Sequence, residues 1–198
     1  MNRNAYKVPF FAEANRVRAT LDMEHHEALL LYIGHWRDEI EEQHSLTYEP
    51  VNAVWQVGLE TGVHFEMRQL ENINGKNFVP HYTGKVVYET EIALAERACV
   101  LELGEAYEIV DAFLNDIPIG SRQNTPYRFD LSHEAVKGKK RLRIEVTTSC
   151  ARDLKRRDSA TFGRSMSATV YNALPPGGLL GPIRVGYAIE KGVRDDET

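Results

Sequence analysis

The sequence predicts an all-β chain, an antiparallel sandwich or barrel, on three observations. From Gly84 to Ile189 apolar residues recur with a period of two, turn residues separate six such runs, and no convincing amphipathic helix stands among them. A (β/α)8 barrel, which needs about 250 residues of alternating strand and helix, is excluded by length and pattern together.

The runs follow in order. In "KVVYETEIAL" Val86, Tyr88, Thr90 and Ile92 face one way and Val87, Glu89 and Glu91 the other. "CVLELG" sets Cys99, Leu101 and Leu103 against Val100 and Glu102, and "YEIVDAFLND" places Val110, Ala112 and Leu114 on one face. "PYRFDLS" is a short extended piece, "RLRIEVTTSC" alternates through Leu142, Ile144 and Val146, and "GPIRVGYAI" closes the set.

The first eighty residues are less regular. "NRVRATLDM" alternates through Val17, Ala19 and Leu21, with "ALLLYI" as a candidate hairpin partner across "EHHE". Leu29, Ile33, Trp36 and Ile40 also fall at helical spacing, so a helix from about 24 to 43 competes with a strand followed by a helical turn at "HWRDEIEE"; Gly34 favours the latter. "NAVWQVGLE" and "VHFEMRQL" read as a strand pair around Thr61-Gly62, and "ENINGKNFVPHYTG" as a long loop.

Composition narrows the function classes. Of the 198 residues 42% are apolar and 27% charged, the balance of an ordinary globular protein and unlike disordered or membrane chains. The longest apolar run, Ala28 to Ile33, is too short to span a bilayer, and the first residues lack a signal-peptide core, so a membrane partner is not expected. Localisation stays open, cytoplasmic only if Met1 is the true start. A net charge of -5 argues against nucleic acid as a partner, and the basic cluster Lys137 to Arg143 reads as the solvent face of a strand. Cys99 and Cys150 make no disulfide framework or zinc motif and read as buried thiols.

Chemical signatures are few. No zinc-protease motif, nucleophile elbow, P-loop or dinucleotide fingerprint is present, and no cofactor is expected. The strand carboxylates, Glu89, Glu91 and Glu102 among them, read as a solvated face before they read as a glycosidase pair. Aromatic rings beside polar loops suit sugar stacking better: Trp36, Trp55, Tyr82 and Tyr127, the last preceded by the polar set Arg122, Gln123 and Asn124. The competing reading buries each of these rings in the core.

In succession, "YTGKVVYETEIAL", the "LELG" strand with Leu101, Leu103 and Gly104, the hairpin around Asn115-Asp116 with Ile119 and Gly120, "PYRFDLS", the strand Gly138 to Val146 and "GGLLGPI" resemble the sugar-binding domain of glycoside hydrolase family 2, a galactose-binding-like jelly-roll β-sandwich. The resemblance runs from about Tyr82 to Val185. It implies a non-catalytic accessory domain whose partners are carbohydrate and the catalytic domain of a parent glycosidase such as a β-galactosidase or α-rhamnosidase. It further implies that the Pro/Gly stretch from Pro175 to Pro182 turns the last strand back across the sandwich while Leu179 and Leu180 plug the core. Two departures stand out: Asp116 where the family prefers Gly, and "TTSCARDL", with Thr148 and Arg152 in place of sugar-facing amides, leaving Asp153 as a hydroxyl acceptor.

On this basis residues 1–75 are expected to be a preceding β-rich segment and linker, 76–190 the jelly roll, and 191–198 a frayed tail. The sugar-contact candidates are Arg122, Asn124, Tyr127, Arg152, Asp153, Trp55 and Tyr82; no metal ligand is expected, since no Asp/Asn run has the density of a calcium loop. An autonomous carbohydrate-binding module, a complete small glycosidase and a purely structural packing domain are the rivals.

Overall fold

The computed structural model describes residues 8, 10–13, 16–21, 23, 30–34, 46–96, 98–131, 137–162 and 174–189. Within them the chain is an antiparallel β-sandwich. One sheet has six strands: β4 (Trp55–Leu59), β5 (His64–Met67), β6 (Lys85–Leu94), β9 (Ile109–Leu114), β10 (Ile117–Arg122) and β12 (Gly138–Thr147), in the order β10-β9-β12-β6-β4-β5. The other has β3 (Leu46–Pro50), β7 (Ala98–Glu102), β11 (Arg128–Asp130) and β14 (Arg184–Ala188), in the order β11-β7-β14-β3. Two small ribbons complete the set, β8 (Glu105–Tyr107) with β13 (Gly178–Gly181), and β1 (Phe10–Glu13) with β2 (Arg16–Ala19).

The period-two pattern does the sorting. β6 and β12 pair without a break from Lys85↔Thr147 to Leu94↔Gly138, so Val86, Tyr88, Leu142, Ile144 and Val146 turn inward together. Val110, Ala112 and Leu114 of β9 continue that face, and Leu101, Phe129 and Val185 from the four-stranded sheet meet it in one core. The two expected strands around Thr61-Gly62 are β4 and β5.

The Asn115-Asp116 hairpin keeps the left-handed geometry that an Asn-Gly turn would take, with φ of 50° and 64°. Local bonds hold it there: Asn115 Oδ1 accepts from the Arg141 backbone N–H at 2.9 Å, and the Asp116 carboxylate accepts from Arg141 Nη1 at 3.2 Å. Asp is tolerated because its carboxylate is anchored.

The Pro/Gly stretch closes one part of the core. Leu179 is fully buried and Leu180 half-buried, and the Leu179 N–H donates to the Tyr88 hydroxyl at 3.0 Å. Gly178 has φ +89°, and a β-carbon on it would lie 2.2 Å from that hydroxyl. Gly104 meets the last glycine of the same stretch: its β-carbon would sit 2.5 Å from the Gly181 carbonyl. The "LELG" and "GLLG" motifs are thus two halves of one close backbone approach.

Several elements differ from expectation. β3, β4 and β5 come from the first 75 residues yet are hydrogen-bonded into the two sheets through β14 and β6. β2 pairs with β1, which precedes it, and residues 30–33 form no strand. A helix, α1 (Ala151–Phe162), follows β12, where the sequence pattern showed none. Cys150 is an exposed free thiol and not a buried one. Of the competing helix over 24–43 only residues 30–34 are described, and they are not helical; the helical turn at 35–42, with Trp36, and the 191–198 tail lie outside the described residues.

Two substitutions test this packing. Gly178→Ala is expected to cost about 2 to 4 kcal/mol in urea unfolding, from its clash and positive φ. Tyr88→Phe, which strands the buried Leu179 N–H, is expected to cost about 1 to 3 kcal/mol.

Candidate functional site

The register brings six of the seven sugar-contact candidates to one end of the sandwich, where β6 and β9 begin and β12 ends. Arg122 pairs with Val110 there, Tyr82 precedes β6, and Arg152 and Asp153 lie in the first turn of α1 just past β12. Trp55 is at the other end of β4, 2% exposed and in the core.

Burial decides what each can do. Tyr82 is 6% exposed; its hydroxyl donates to the Lys85 carbonyl at 2.7 Å and accepts from the Glu60 N–H at 3.3 Å. Tyr127 is 4% exposed and donates to the Glu108 carbonyl at 2.7 Å. Burial raises both phenols above their ordinary range; the Glu60 N–H opposes it at Tyr82, and the Glu108 charge adds to it at Tyr127. None of the three rings offers a free face for stacking on a sugar.

Three of the four polar candidates are engaged as well. Arg122 Nη1 donates to the Ser121 carbonyl at 2.8 Å, and its guanidinium lies 5.2 Å from the centre of the Phe129 ring. Arg152 donates to the Pro175 carbonyl and ties α1 to the Pro/Gly stretch. Asp153 pairs with Arg156 and Arg157, each at 2.7 Å; the Arg156 hydrogen bond leads in lowering its carboxyl below the usual range. Asn124 stands exposed in the turn before β11.

Between these groups lies a small cavity lined by Asn74, Tyr107, Glu108, Thr148, Arg152 and Gly177. Its volume of about 10 Å³ fits a single water molecule and no sugar ring. Asn74 Oδ1 is buried there with no hydrogen-bond partner among the described residues. Thr148, which replaces an amide of the resembled family, accepts from the Gly84 N–H at 3.0 Å and donates to its carbonyl at 3.1 Å, so it closes the β6–β12 ladder.

A cluster that sequence reading left on the solvated face is Glu102 on β7. Its strand neighbours in register are Arg128 and Arg184, and both guanidinium groups bond its carboxylate, Arg128 Nε at 2.9 Å. Arg184 also lies 5.2 Å from the centre of the Tyr48 ring. Burial pushes the Glu102 carboxyl up, but the two arginines outweigh it and hold it below the ordinary value of 4.5. Among the described residues no group of three or more His, Cys, Asp or Glu is placed to hold a metal, and no helix is long and apolar enough to cross a membrane.

No protein-family model matches the sequence, and no curated protein matches it. Solved structures do. The fold matches part of a rhamnosidase from Novosphingobium sp. PP1Y with a TM-score of 0.60 at 22% identity, over 76% of this chain and 16% of that one. Weaker matches include the β-glucuronidase of Ruminococcus gnavus (TM-score 0.46, 15% identity, 57% of this chain and 23% of that one) and that of Dictyoglomus thermophilum (0.44, 16%, 54% and 20%). The chain therefore spans less than a quarter of the length of each of these enzymes, and the fold it shares is that of part of the rhamnosidase.

The Glu102 cluster gives a pH prediction. A carboxyl held lower in the folded state than in the unfolded state stabilises the fold above the unfolded value, and that contribution is lost as pH falls through the folded one. Stability is therefore expected to drop below about pH 4.5, and Glu102→Gln to flatten that drop while costing about 1 to 2 kcal/mol at neutral pH. Urea midpoints measured from pH 7 to pH 3 check both parts.

Proposed function

We propose that the chain is a non-catalytic accessory domain of a glycoside hydrolase, which binds carbohydrate and packs against the catalytic body of its parent enzyme. The observation that carries this reading is the fold match: three-quarters of the chain superposes on a stretch that is one-sixth of a rhamnosidase. The motif succession from Tyr82 to Val185 supports the same assignment independently of any superposition.

The packing half of the reading draws on the N-terminal ribbon. Phe10, Phe11 and Val17 are exposed there, and Leu30 and Ile33 beyond it are almost fully so. Large apolar side chains left in water favour a neighbouring surface. The division proposed is a packing arm ahead of residue 46 and a sandwich from there to about 190, so the arm is shorter than the 75 residues expected from sequence.

The test uses the chain as it stands. It is expected to release no nitrophenol from nitrophenyl rhamnoside, galactoside or glucuronide above the buffer rate, and to be retarded in a native gel containing neutral polysaccharide. Turnover that vanishes on replacing a single glutamate overturns the non-catalytic assignment.

A further inference from the structure

A concavity large enough for a small ligand lies away from the loop end of the sandwich. It lies on the outer face of the six-stranded sheet, where β4 stops short and β6 and β12 run on. There Val54, Gln56, Glu89, Thr90, Glu91 and Arg141 line an open concavity of about 310 Å³, the lower end of the range for small-molecule sites.

The groups in it are fixed before any ligand arrives. Arg141 Nη2 is 2.7 Å from Glu89 Oε1, while its Nη1 is held by Asp116 at 3.2 Å. Gln56 Nε2 donates to Glu66 Oε1 at 2.7 Å, which leaves the amide carbonyl and its second hydrogen without a partner among the described residues. Glu91 is exposed on the same outward face of β6 as Glu89. The Thr90 hydroxyl donates to the Val54 carbonyl at 2.9 Å and fixes the end of β4, whose Val54 side chain is 45% exposed.

Planar amide, carboxylate and guanidinium groups side by side, beside one exposed apolar side chain, are the chemistry that recognises vicinal hydroxyls and the C–H face of a pyranose. Two lining carboxylates against one guanidinium disfavour an acidic sugar. We infer that this sheet-face concavity is the carbohydrate subsite of the domain and that it takes a neutral pyranose, through Gln56, Glu89, Glu91 and Arg141. The inference rests on the accessory-domain reading for its ligand class, and it moves the contact away from the loops around Arg122 and Arg152.

Calorimetric titration of the full chain with rhamnose, galactose and glucuronate tests it, in parallel with Gln56→Ala, Glu91→Gln and, as a control on a distant loop, Lys76→Ala. Gln56 and Glu91 are exposed, so both variants are expected to keep the parent's thermal midpoint. The expected result is binding of a neutral sugar by the parent, weakening of at least fivefold in each of the two site variants, an unchanged Lys76→Ala, and weaker binding of glucuronate. Neutral-sugar binding that both site variants retain overturns the subsite while leaving the accessory reading intact. Glucuronate bound as tightly as the neutral sugars overturns the ligand class. No binding of any sugar by the parent overturns the inference and the carbohydrate half of the accessory reading together, leaving the packing half.

Discussion

The uninterrupted pairing of β6 with β12 is the constraint on which everything else depends. Ten consecutive register pairs run from Lys85↔Thr147 to Leu94↔Gly138. Because side chains alternate across a strand, a slip of one residue would send Tyr88 and Ile144 into water and Glu89 and Arg143 into the core. Ends and face both reinforce the register. Thr148 clasps Gly84 at one end, and on the outer face Lys85 bonds Glu145 at 2.6 Å while Arg141 bonds Glu89. Arg143 reaches Glu145 and lies 3.8 Å from the centre of the Phe113 ring on β9, which extends the polar ladder to a third strand.

That one ladder supplies both halves of the molecule's chemistry. Its inner face carries the Tyr88 hydroxyl that receives the Leu179 N–H, so the Pro/Gly stretch docks against the middle of the long sheet. Its outer face carries Glu89, Glu91 and Arg141, whose positions are set by backbone pairing and by neighbouring charges rather than by a loop. A site built on strands loses little conformational freedom when a ligand arrives. At the end of the sandwich Tyr82, Tyr127, Arg152 and Asp153 are instead taken up by internal bonds.

Much of the fold was legible because period-two alternation has one dominant physical cause, a sheet with one dry face. β6, β7, β9, β11, β12, β14 and the β4–β5 pair were readable for that reason, whereas the role of Leu179 was readable only through the family resemblance. α1 was not, because "ARDLKRRDSATF" has no apolar stripe; its legible signal was Asp153 set three and four residues before Arg156 and Arg157. β3 escaped notice because it is a sheet-edge strand whose residues are half-buried or exposed. The candidate site was less legible. Sequence marks aromatic residues near loops but not which way they turn, and Trp55, Tyr82 and Tyr127 turn inward. Gln56 and Arg141 are far apart in sequence and come together only through the strand order β12-β6-β4.

The measurement that tests the central claim most directly is a map of backbone amide shifts as rhamnose is added to the chain. If the β6–β12 ladder separates a closed core from a sugar-binding outer face, the shifts will gather at Gln56, Glu89, Glu91 and Arg141 and leave Asn74, Tyr107 and Arg152 unmoved. Shifts gathered instead around Arg122 to Tyr127 or at Arg152 would contradict it, placing the ligand at the loop end of the sandwich.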